Sequence, residues 1–189
     1  MITVYIQKIE NISENEKQNI INSLSHSALE RLNKKRNEDL YLASLCALSL
    51  LKDDQRANLD YTENGRPLFS TIDADISISH SKTHVALAIS NSKNISVGID
   101  IEDISSNALP IRFLTENEKK ISTNTQKFIE IWTKKEALFK FLKNDSISFI
   151  LLDSTAPERY DAHFNTIQIE NSILSICTAK NEQIEIIQK

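Results

Sequence analysis

Glycine and proline are scarce in this sequence of 189 residues, which contains two glycines and three prolines. An average composition of about 7% glycine would give roughly thirteen glycines in a chain of this length. A Walker phosphate loop needs two glycines five positions apart, and a dinucleotide-binding turn needs three within six. Because Gly65 and Gly98 are far apart, the sequence excludes both kinds of site. Any phosphate chemistry must use basic side chains, helix N-termini or a metal held by carboxylates.

Long apolar runs are also missing, since no segment approaches the roughly 18 apolar residues of a membrane span. The N-terminal segment turns polar and acidic early and lacks the basic region and apolar stretch of a signal peptide. Hydrophobic residues make up 40% of the chain and charged residues 25%, which is too apolar for disorder. We therefore expect a globular cytoplasmic protein with no membrane partner.

Cysteine is represented only by Cys46 and Cys177, one in an apolar helical run and one in a strand-like run. Buried free thiols are therefore expected rather than a disulfide. The net charge of -4 argues against nucleic-acid binding. Residues 112–143, however, carry 8 basic and 4 acidic groups, so this stretch is net positive within an acidic protein.

The hydrophobic pattern predicts groups of helices and strands in alternation. Helices are expected over residues 13–35, 37–54, 115–121 and 125–142. Strands are expected over residues 2–9, 75–79, 84–90 and 95–102, the last three as an antiparallel meander, and over 146–152, 162–169, 173–178 and 183–187. Residues 58–69 are expected to hold a strand, a turn and a short extended piece. This order of elements predicts an α+β fold in two halves, residues 1–93 and 94–189.

The segment Val97-Gly98-Ile99-Asp100-Ile101-Glu102 places three apolar side chains on one face of a strand. Gly98, Asp100 and Glu102 share the other face, where the two acidic residues have Cα atoms about 6.5 to 7 Å apart. Their carboxylates could converge on one Mg²⁺, and the bare backbone at Gly98 could admit a phosphate. On this interpretation Gly98→Val would impair ligand binding more than stability. The alternative is a half-exposed strand whose acids face water.

Glu136 and Lys140 are four apart in the predicted helix 125–142, so they lie on the same helix face. They could form a surface ion pair worth about 0.2 to 0.5 kcal/mol. Alternatively, Glu136 is a third metal ligand and Lys140 a cation beside a phosphate. Three carboxylates around Mg²⁺ would leave room for phosphate oxygens, which suits metal-assisted phosphoryl chemistry.

Ser77, Ser79 and Ser81 share one face of the predicted strand, and His80 lies on the other face if the strand continues. His80 and His84 are four apart, but outside any helix, so they make a poor zinc pair. Gly65-Arg66-Pro67 indicates a turn with glycine at positive φ. The planar fork of Arg66 would suit bidentate phosphate binding, although a simple turn explains the same residues.

Together these residues resemble the 4'-phosphopantetheinyl transferases of the surfactin-synthetase-activating type. The resemblance spans residues 65–140 and rests on five motifs in family order: Gly65-Arg66-Pro67, Ser77-x-Ser79-His80-Ser81, Gly98-Ile99-Asp100-Ile101-Glu102, Phe113 through Glu118, and Trp132-x-x-Lys135-Glu136-Ala137-x-x-Lys140. It implies two pseudo-symmetric α+β halves, each with helices on a mainly antiparallel sheet. The active site would lie in the cleft between them.

The resemblance implies transfer of the phosphopantetheine arm of coenzyme A to a serine of an apo acyl or peptidyl carrier protein, releasing adenosine 3',5'-bisphosphate. Such an enzyme would have holo-acyl-carrier-protein synthase activity. Asp100, Glu102 and Glu136 would bind Mg²⁺ on the pyrophosphate, and Glu118 matches a family acid near the metal. Lys140 would stabilise the leaving group, while Glu136 or a metal-bound water would deprotonate the serine. The coenzyme ligands would be Arg66, Ser79, His80 and Lys135.

One departure from the family pattern concerns Leu42, which stands where several members have an arginine that reaches the coenzyme. Four basic residues could substitute, unless they are simply a solvated helix end: Arg31, Lys34, Lys35 and Arg36. The positive stretch 112–143 would favour encounter with an acidic carrier through Lys119, Lys120, Lys127 and Lys134. We expect a monomer. A catalytically silent coenzyme A or carrier-binding homologue and a Mg²⁺-dependent phosphohydrolase remain alternative functions.

Overall fold

The computed structural model describes residues 1–104, 111–144, 146–180 and 182–189. Its α-helices are α1 (Glu14–Ser23), α2 (His26–Asn33), α3 (Glu38–Ser49), α4 (Asp53–Ala57), α5 (Glu116–Ile121) and α6 (Thr125–Leu142). Its strands are β1 (Ile2–Lys8), β2 (Leu59–Tyr61), β3 (Pro67–Phe69), β4 (Ile76–His80), β5 (His84–Ser90), β6 (Val97–Asp103), β7 (Ala162–Ile169), β8 (Ser172–Ala179) and β9 (Ile184–Gln188). The mixture of helices and antiparallel sheets confirms the predicted α+β class.

Two sheets repeat one topology. In the first sheet the strand order is β4-β5-β1-β9, and in the second it is β6-β8-β7. In the first sheet β5 lies between β1 and β4, and in the second sheet β8 lies between β6 and β7. Along the sequence, α1 to α4 come between β1 and β4, and α5 and α6 come between β6 and β7. All pairings among these six strands are antiparallel. The repeated order gives the two sheets their pseudo-symmetry.

The last strand links the two halves. Strand β9 pairs in parallel with β1, with Ile2 opposite Ile184 and Ile6 opposite Gln188. The chain therefore returns to the first sheet after completing the second. This pairing joins the two ends of the chain in one sheet. The division into two domains at residue 93 stays a prediction.

The core is layered because each sheet has two apolar faces. One face of the first sheet packs under α1 to α3 in a cluster that includes Ile76, Val85 and Leu87. Its other face meets the second sheet in a cluster of Ile, Val, Leu and Ala side chains. Helix α6 covers the far face of the second sheet and contacts both β6 and β8. Both thiols are buried and free, as the sequence predicts.

Four expectations about secondary structure were wrong. The predicted helix 37–54 is interrupted, because α3 ends at Ser49 and α4 begins at Asp53. Strand β6 pairs with β8 rather than β5, so the predicted meander ends after β5. The predicted strand 146–152 contains instead the 3-10 helix Phe149–Leu151. The predicted helix 13–35 is two helices, because the Ser25 side chain accepts a hydrogen bond from the backbone of Ala28 and caps a new helix. Within the described ranges, no helix is long and apolar enough to span a membrane.

Candidate active site

The side chain of Asp75, directly before β4, and two serine side chains of β4 bind the backbone edge of β6 and thereby fix its position. Asp75 Oδ2 accepts a hydrogen bond from the Val97 amide at 2.9 Å. Two serines repeat the contact, with Ser77 Oγ accepting from Ile99 N at 3.1 Å and Ser79 Oγ from Ile101 N at 3.4 Å. These three alternating side chains thus replace a neighbouring strand and satisfy alternate amides of β6.

Asp100 is buried at the centre of this arrangement, with 5% of its surface exposed. Its Oδ1 atom accepts hydrogen bonds from Ser79 Oγ and Lys140 Nζ, each at 2.7 Å. Lys140 also donates to the Ile99 carbonyl at 3.0 Å. Among the described residues, Asp100 Oδ2 is the buried side-chain oxygen that has no hydrogen-bond partner. An unsatisfied carboxylate oxygen is costly to bury and is a ready ligand for a cation.

The negative charge of Asp100 affects the pKa of two further carboxylates, those of Glu102 and Glu136. Burial raises the pKa of Glu102 to about 7, and the negative charge of Asp100 adds to this effect. Burial likewise raises the pKa of Glu136, and again Asp100 contributes while Lys140 opposes the shift. The structure therefore places Lys140 in contact with Asp100, and Glu102 and Glu136 within electrostatic range of Asp100. A cation among these acids would relieve their mutual repulsion.

The donor set at this site fits a hard cation. Carboxylate oxygens are the protein ligands that Mg²⁺ prefers, and the bare Oδ2 of Asp100 supplies one. In the described part of the chain, no group of three or more His, Cys, Asp or Glu side chains is arranged so that it could hold a metal ion. Mg²⁺ is commonly held by one or two carboxylates with substrate phosphates and waters, so an all-protein cage is not required. Mg²⁺ binding at Asp100, Glu102 and Glu136 stays a prediction.

Gly98 has a packing role that the sequence does not reveal. A Cβ atom at this position would lie 2.5 Å from the Phe141 amide nitrogen and would also collide with the Ala137 carbonyl. The backbone of α6 therefore occupies the space beside Gly98 where a phosphate was expected. The expectation that Gly98→Val would affect ligand binding more than stability is wrong, because no side chain fits between β6 and α6.

Lys135 and Glu118 form a fully buried ion pair, with no exposed side-chain surface and a distance of 2.8 Å. The Lys135 ammonium also donates to the Leu152 carbonyl, and Glu118 accepts from the backbone amides of Ser154 and Thr115. Neither group has surface left for a ligand. The predictions that Lys135 binds the coenzyme and that Glu118 lies beside the metal are therefore corrected. Their pair ties α5 and the segment around Leu152 to α6.

A cleft of about 870 Å³ lies beside the carboxylates, between the β2–β3 turn, β4 and the C-terminal part of α6. Its walls include Arg66, Lys93, Lys140 and Lys143, together with Glu136. Arg66 donates to the Lys140 carbonyl and lies 3.5 Å from Asp75 Oδ2. The positive φ of 81° at Gly65 confirms the predicted turn that presents Arg66. The volume lies within the range of about 300 to 1,000 Å³ that is usual for small-molecule sites.

A second, smaller pocket of about 200 Å³ lies on the other side of Gly65, and His80 lines it with Arg31 and Lys35. The Arg31 guanidinium stacks over the Tyr61 ring at 4.5 Å. Burial lowers the pKa of His80, and the nearby Lys35 contributes to the shift. Of the basic residues proposed to compensate for Leu42, Arg31 and Lys35 line this pocket. Arg31 and Lys35 line the same pocket as His80 because of how α2 and the residues after it pack on the sheet. The spacing of these residues in the sequence does not predict this packing.

The basic residues of the stretch 112–143 are less available to bind an acidic partner than the net charge of the stretch indicates. Three of its lysines pair with acids on their own helices: Lys119 with Glu116, and Lys127 and Lys134 with Glu130. Exposed pairs of this kind are weak, each worth under about 1 kcal/mol, so they can open when a partner arrives. Carrier binding through these lysines remains a prediction.

Comparison with known proteins gives one family. Residues 96–184 match the model of the 4'-phosphopantetheinyl transferase superfamily. No curated protein sequence matches the chain significantly. The matched segment begins at β6 and includes α6, so it contains Asp100, Glu102, Glu136 and Lys140. The match supports phosphopantetheinyl transfer as the general activity, and residues 96–184 of this chain are similar to the 4'-phosphopantetheinyl transferase superfamily.

Proposed function

We propose that this protein transfers the 4'-phosphopantetheine arm of coenzyme A to a serine of an apo acyl or peptidyl carrier protein, as an enzyme of the surfactin-synthetase-activating type. The observation that carries the proposal is the unpaired, buried Oδ2 of Asp100, whose negative charge also helps to raise the pKa of Glu102 and of Glu136. The basic cleft that adjoins these acids supports the same function, because coenzyme A is an elongated polyanion.

The reaction forms a bond between the serine oxygen and the phosphorus attached to the pantetheine arm. It breaks the bond between this phosphorus and the pyrophosphate bridging oxygen, which leaves with adenosine 3',5'-bisphosphate. Asp100, Glu102 and Glu136 would hold Mg²⁺, which when bound neutralises charge on the pyrophosphate. Glu136 lines the cleft together with Lys140 and would accept the serine proton as general base. Lys140 stabilises negative charge on the leaving oxygen.

The two pockets suit the two anionic regions of coenzyme A. Lys140 and Glu136 line the larger cleft, and the pyrophosphate would lie beside them. The smaller pocket presents Arg31 and Lys35 with His80, which suits the nucleotide and its 3'-phosphate. In this arrangement Arg31 and Lys35 compensate for the absence of an arginine at Leu42. Arg66 would contact the coenzyme from the turn between the two pockets.

The test is to incubate the protein with coenzyme A, Mg²⁺ and a panel of apo carrier proteins, and to weigh each carrier by mass spectrometry. At least one carrier should gain the mass of one phosphopantetheine arm. The same carrier with its acceptor serine replaced by alanine, and a reaction with the chelator EDTA, should show no gain. Absence of a gain on every carrier would contradict the proposal, and release of free phosphopantetheine to water would indicate a hydrolase.

A further inference from the structure

Ser77 and Ser79 make the same backbone contact but differ in one respect. Each hydroxyl oxygen accepts a hydrogen bond from an amide of β6, and both side chains are buried. Ser79 alone of the two also donates to Asp100, at 2.7 Å from Oδ1. Ser77 therefore only supports β6, whereas Ser79 supports β6 and also orients the carboxylate of Asp100.

We propose that Ser79 is a positioning residue that holds Asp100 with its free oxygen toward the cation, rather than a ligand of the coenzyme. The inference rests on the proposed function, because the cation in question is the Mg²⁺ of the transfer reaction. It assigns Ser79 a role that differs from the coenzyme contact expected from the sequence.

The hydrogen bonds of the Ser79 hydroxyl determine the direction of its proton. Its oxygen accepts from the Ile101 amide at 3.4 Å and from Lys140 Nζ at 3.3 Å. The proton is consequently left for Asp100 Oδ1, the shortest of the three contacts. With 8% of its surface exposed, Ser79 has little access to solvent or to a ligand.

The two donors on Asp100 lie on the same oxygen, which makes the carboxylate asymmetric. Ser79 and Lys140 both bind Oδ1, while Oδ2 is buried and unpaired. Rotation of the carboxylate would break two charge-assisted hydrogen bonds at once. If Lys140 turns toward a phosphate during the reaction, Ser79 is the side-chain donor that remains on Oδ1. Partners of metal ligands that orient them in this way commonly contribute 10- to 100-fold, in order of magnitude, to metal affinity.

The test compares three variants of the full chain: Ser79→Ala, Ser77→Ala and Ser79→Thr. Ser77→Ala is the matched control, because it removes the same type of backbone contact without touching Asp100. Ser79→Thr retains the hydroxyl. Mn²⁺ serves as the probe, and free Mn²⁺ is measured by electron paramagnetic resonance with and without saturating coenzyme A. Thermal unfolding in EDTA measures the loss of stability in each variant.

Ser79→Ala should weaken Mn²⁺ binding by about tenfold or more, and Ser79→Thr should restore most of it. Ser77→Ala should bind Mn²⁺ within about twofold of wild type, although both alanine variants lose comparable stability. Equal Mn²⁺ affinities for the two alanine variants would overturn the proposal. So would an unchanged Mn²⁺ affinity of Ser79→Ala together with a raised KM for coenzyme A, since that result would identify Ser79 as a coenzyme ligand.

The failure of this proposal can be distinguished from failure of the proposed function. If wild type modifies a carrier but the two alanine variants bind Mn²⁺ equally, the function stands and the role of Ser79 is refuted. If wild type binds Mn²⁺ and Ser79→Ala does not, yet no carrier is modified, the positioning role stands and the function is refuted. If wild type binds no Mn²⁺ under either condition, the positioning role is refuted with the metal site.

Discussion

The ammonium nitrogen of Lys140 lies 2.7 Å from Oδ1 of Asp100, and this pair joins α6 to β6 at the centre of the site. Asp100 is almost fully buried, whereas Lys140 retains 27% of its side-chain surface. The lysine can therefore exchange the carboxylate for a substrate phosphate without leaving the cleft. The same contact keeps a buried negative charge compensated when no cation is bound.

Lys140→Met should destabilise the protein in the absence of divalent cations by about 1 to 3 kcal/mol, because a buried carboxylate loses a charged donor. Mg²⁺ should then raise the melting temperature of the variant more than that of wild type, since the ion replaces the missing positive charge. Thermal unfolding with Mg²⁺ and with EDTA measures both effects. The matched control is Lys143→Met, which removes a similar pair with Asp75. A Mg²⁺ effect of equal size in all three proteins would refute this role of Lys140.

Glu102 should make stability depend on pH in an unusual direction. Its pKa is raised from 4.5 to about 7, so the folded protein retains a proton that the unfolded chain releases. The resulting stabilisation is complete below about pH 4.5 and is lost as the pH rises through about 7. Glu102→Gln should therefore increase the free energy of unfolding at pH 8 by on the order of 1 kcal/mol, a value reduced by solvent screening.

Urea unfolding in EDTA at pH 4.5 and pH 8 measures this difference. The gain in stability of Glu102→Gln over wild type should appear at pH 8 and be much smaller at pH 4.5. With Mg²⁺ at pH 8, wild type should recover stability relative to the variant, because the ion binds the ionised carboxylate. A gain that is the same at both pH values would show that the substitution acts through packing instead.

Gly98→Ala should severely destabilise the protein, by about 3 kcal/mol or more, because its Cβ would collide with backbone atoms that cannot move independently. Gly65→Ala is the control, since its Cβ would meet only the flexible end of Arg31. The cost there is about 1 to 2 kcal/mol for a positive φ. Urea unfolding ranks the two variants, and a smaller loss for Gly98→Ala would contradict the packing of α6 on β6.

Lys135→Met should cost about 3 to 5 kcal/mol, because it leaves Glu118 charged and fully buried. The neighbouring Lys134→Met removes only a more exposed pair with Glu130 and should cost less than about 1 kcal/mol. At a temperature where the Lys135 variant is folded, its KM for coenzyme A should match that of wild type. A raised KM with unchanged stability would restore Lys135 as a coenzyme ligand.

Much of the fold could be predicted from hydrophobic periodicity. The apolar run in His84–Ser90 and the helical stripe of Thr125–Leu142 give the observed elements with their observed bounds. The sequence could not show that β6 leaves the first sheet, since Asp75, Ser77 and Ser79 satisfy amides that a neighbouring strand would otherwise bind. Polar side chains that bind the backbone of another strand alternate along the sequence in the same way as polar side chains that face solvent. The alternation alone therefore does not distinguish the two cases.

The site was predictable where two of its residues lie on the same helix or strand. It was less predictable where a residue contacts a partner that is distant in sequence. The i, i+4 spacing indicates that Glu136 and Lys140 lie on one helix face, and the structure brings both to Asp100. Lys135 looks equally polar in sequence, yet it is buried because α5 supplies Glu118. Gly98 is similar, because its role depends on how closely the α6 backbone approaches β6.

The most direct test of the account is carrier modification by Asp100→Asn, measured by mass spectrometry beside wild type with coenzyme A and Mg²⁺. The amide retains the shape of the carboxylate but removes the charge that binds Lys140 and a cation. We predict that wild type adds one phosphopantetheine arm to an apo carrier and that the folded Asp100→Asn variant adds none. Transfer at the wild-type rate by Asp100→Asn would contradict the central claim that Asp100 holds the catalytic cation.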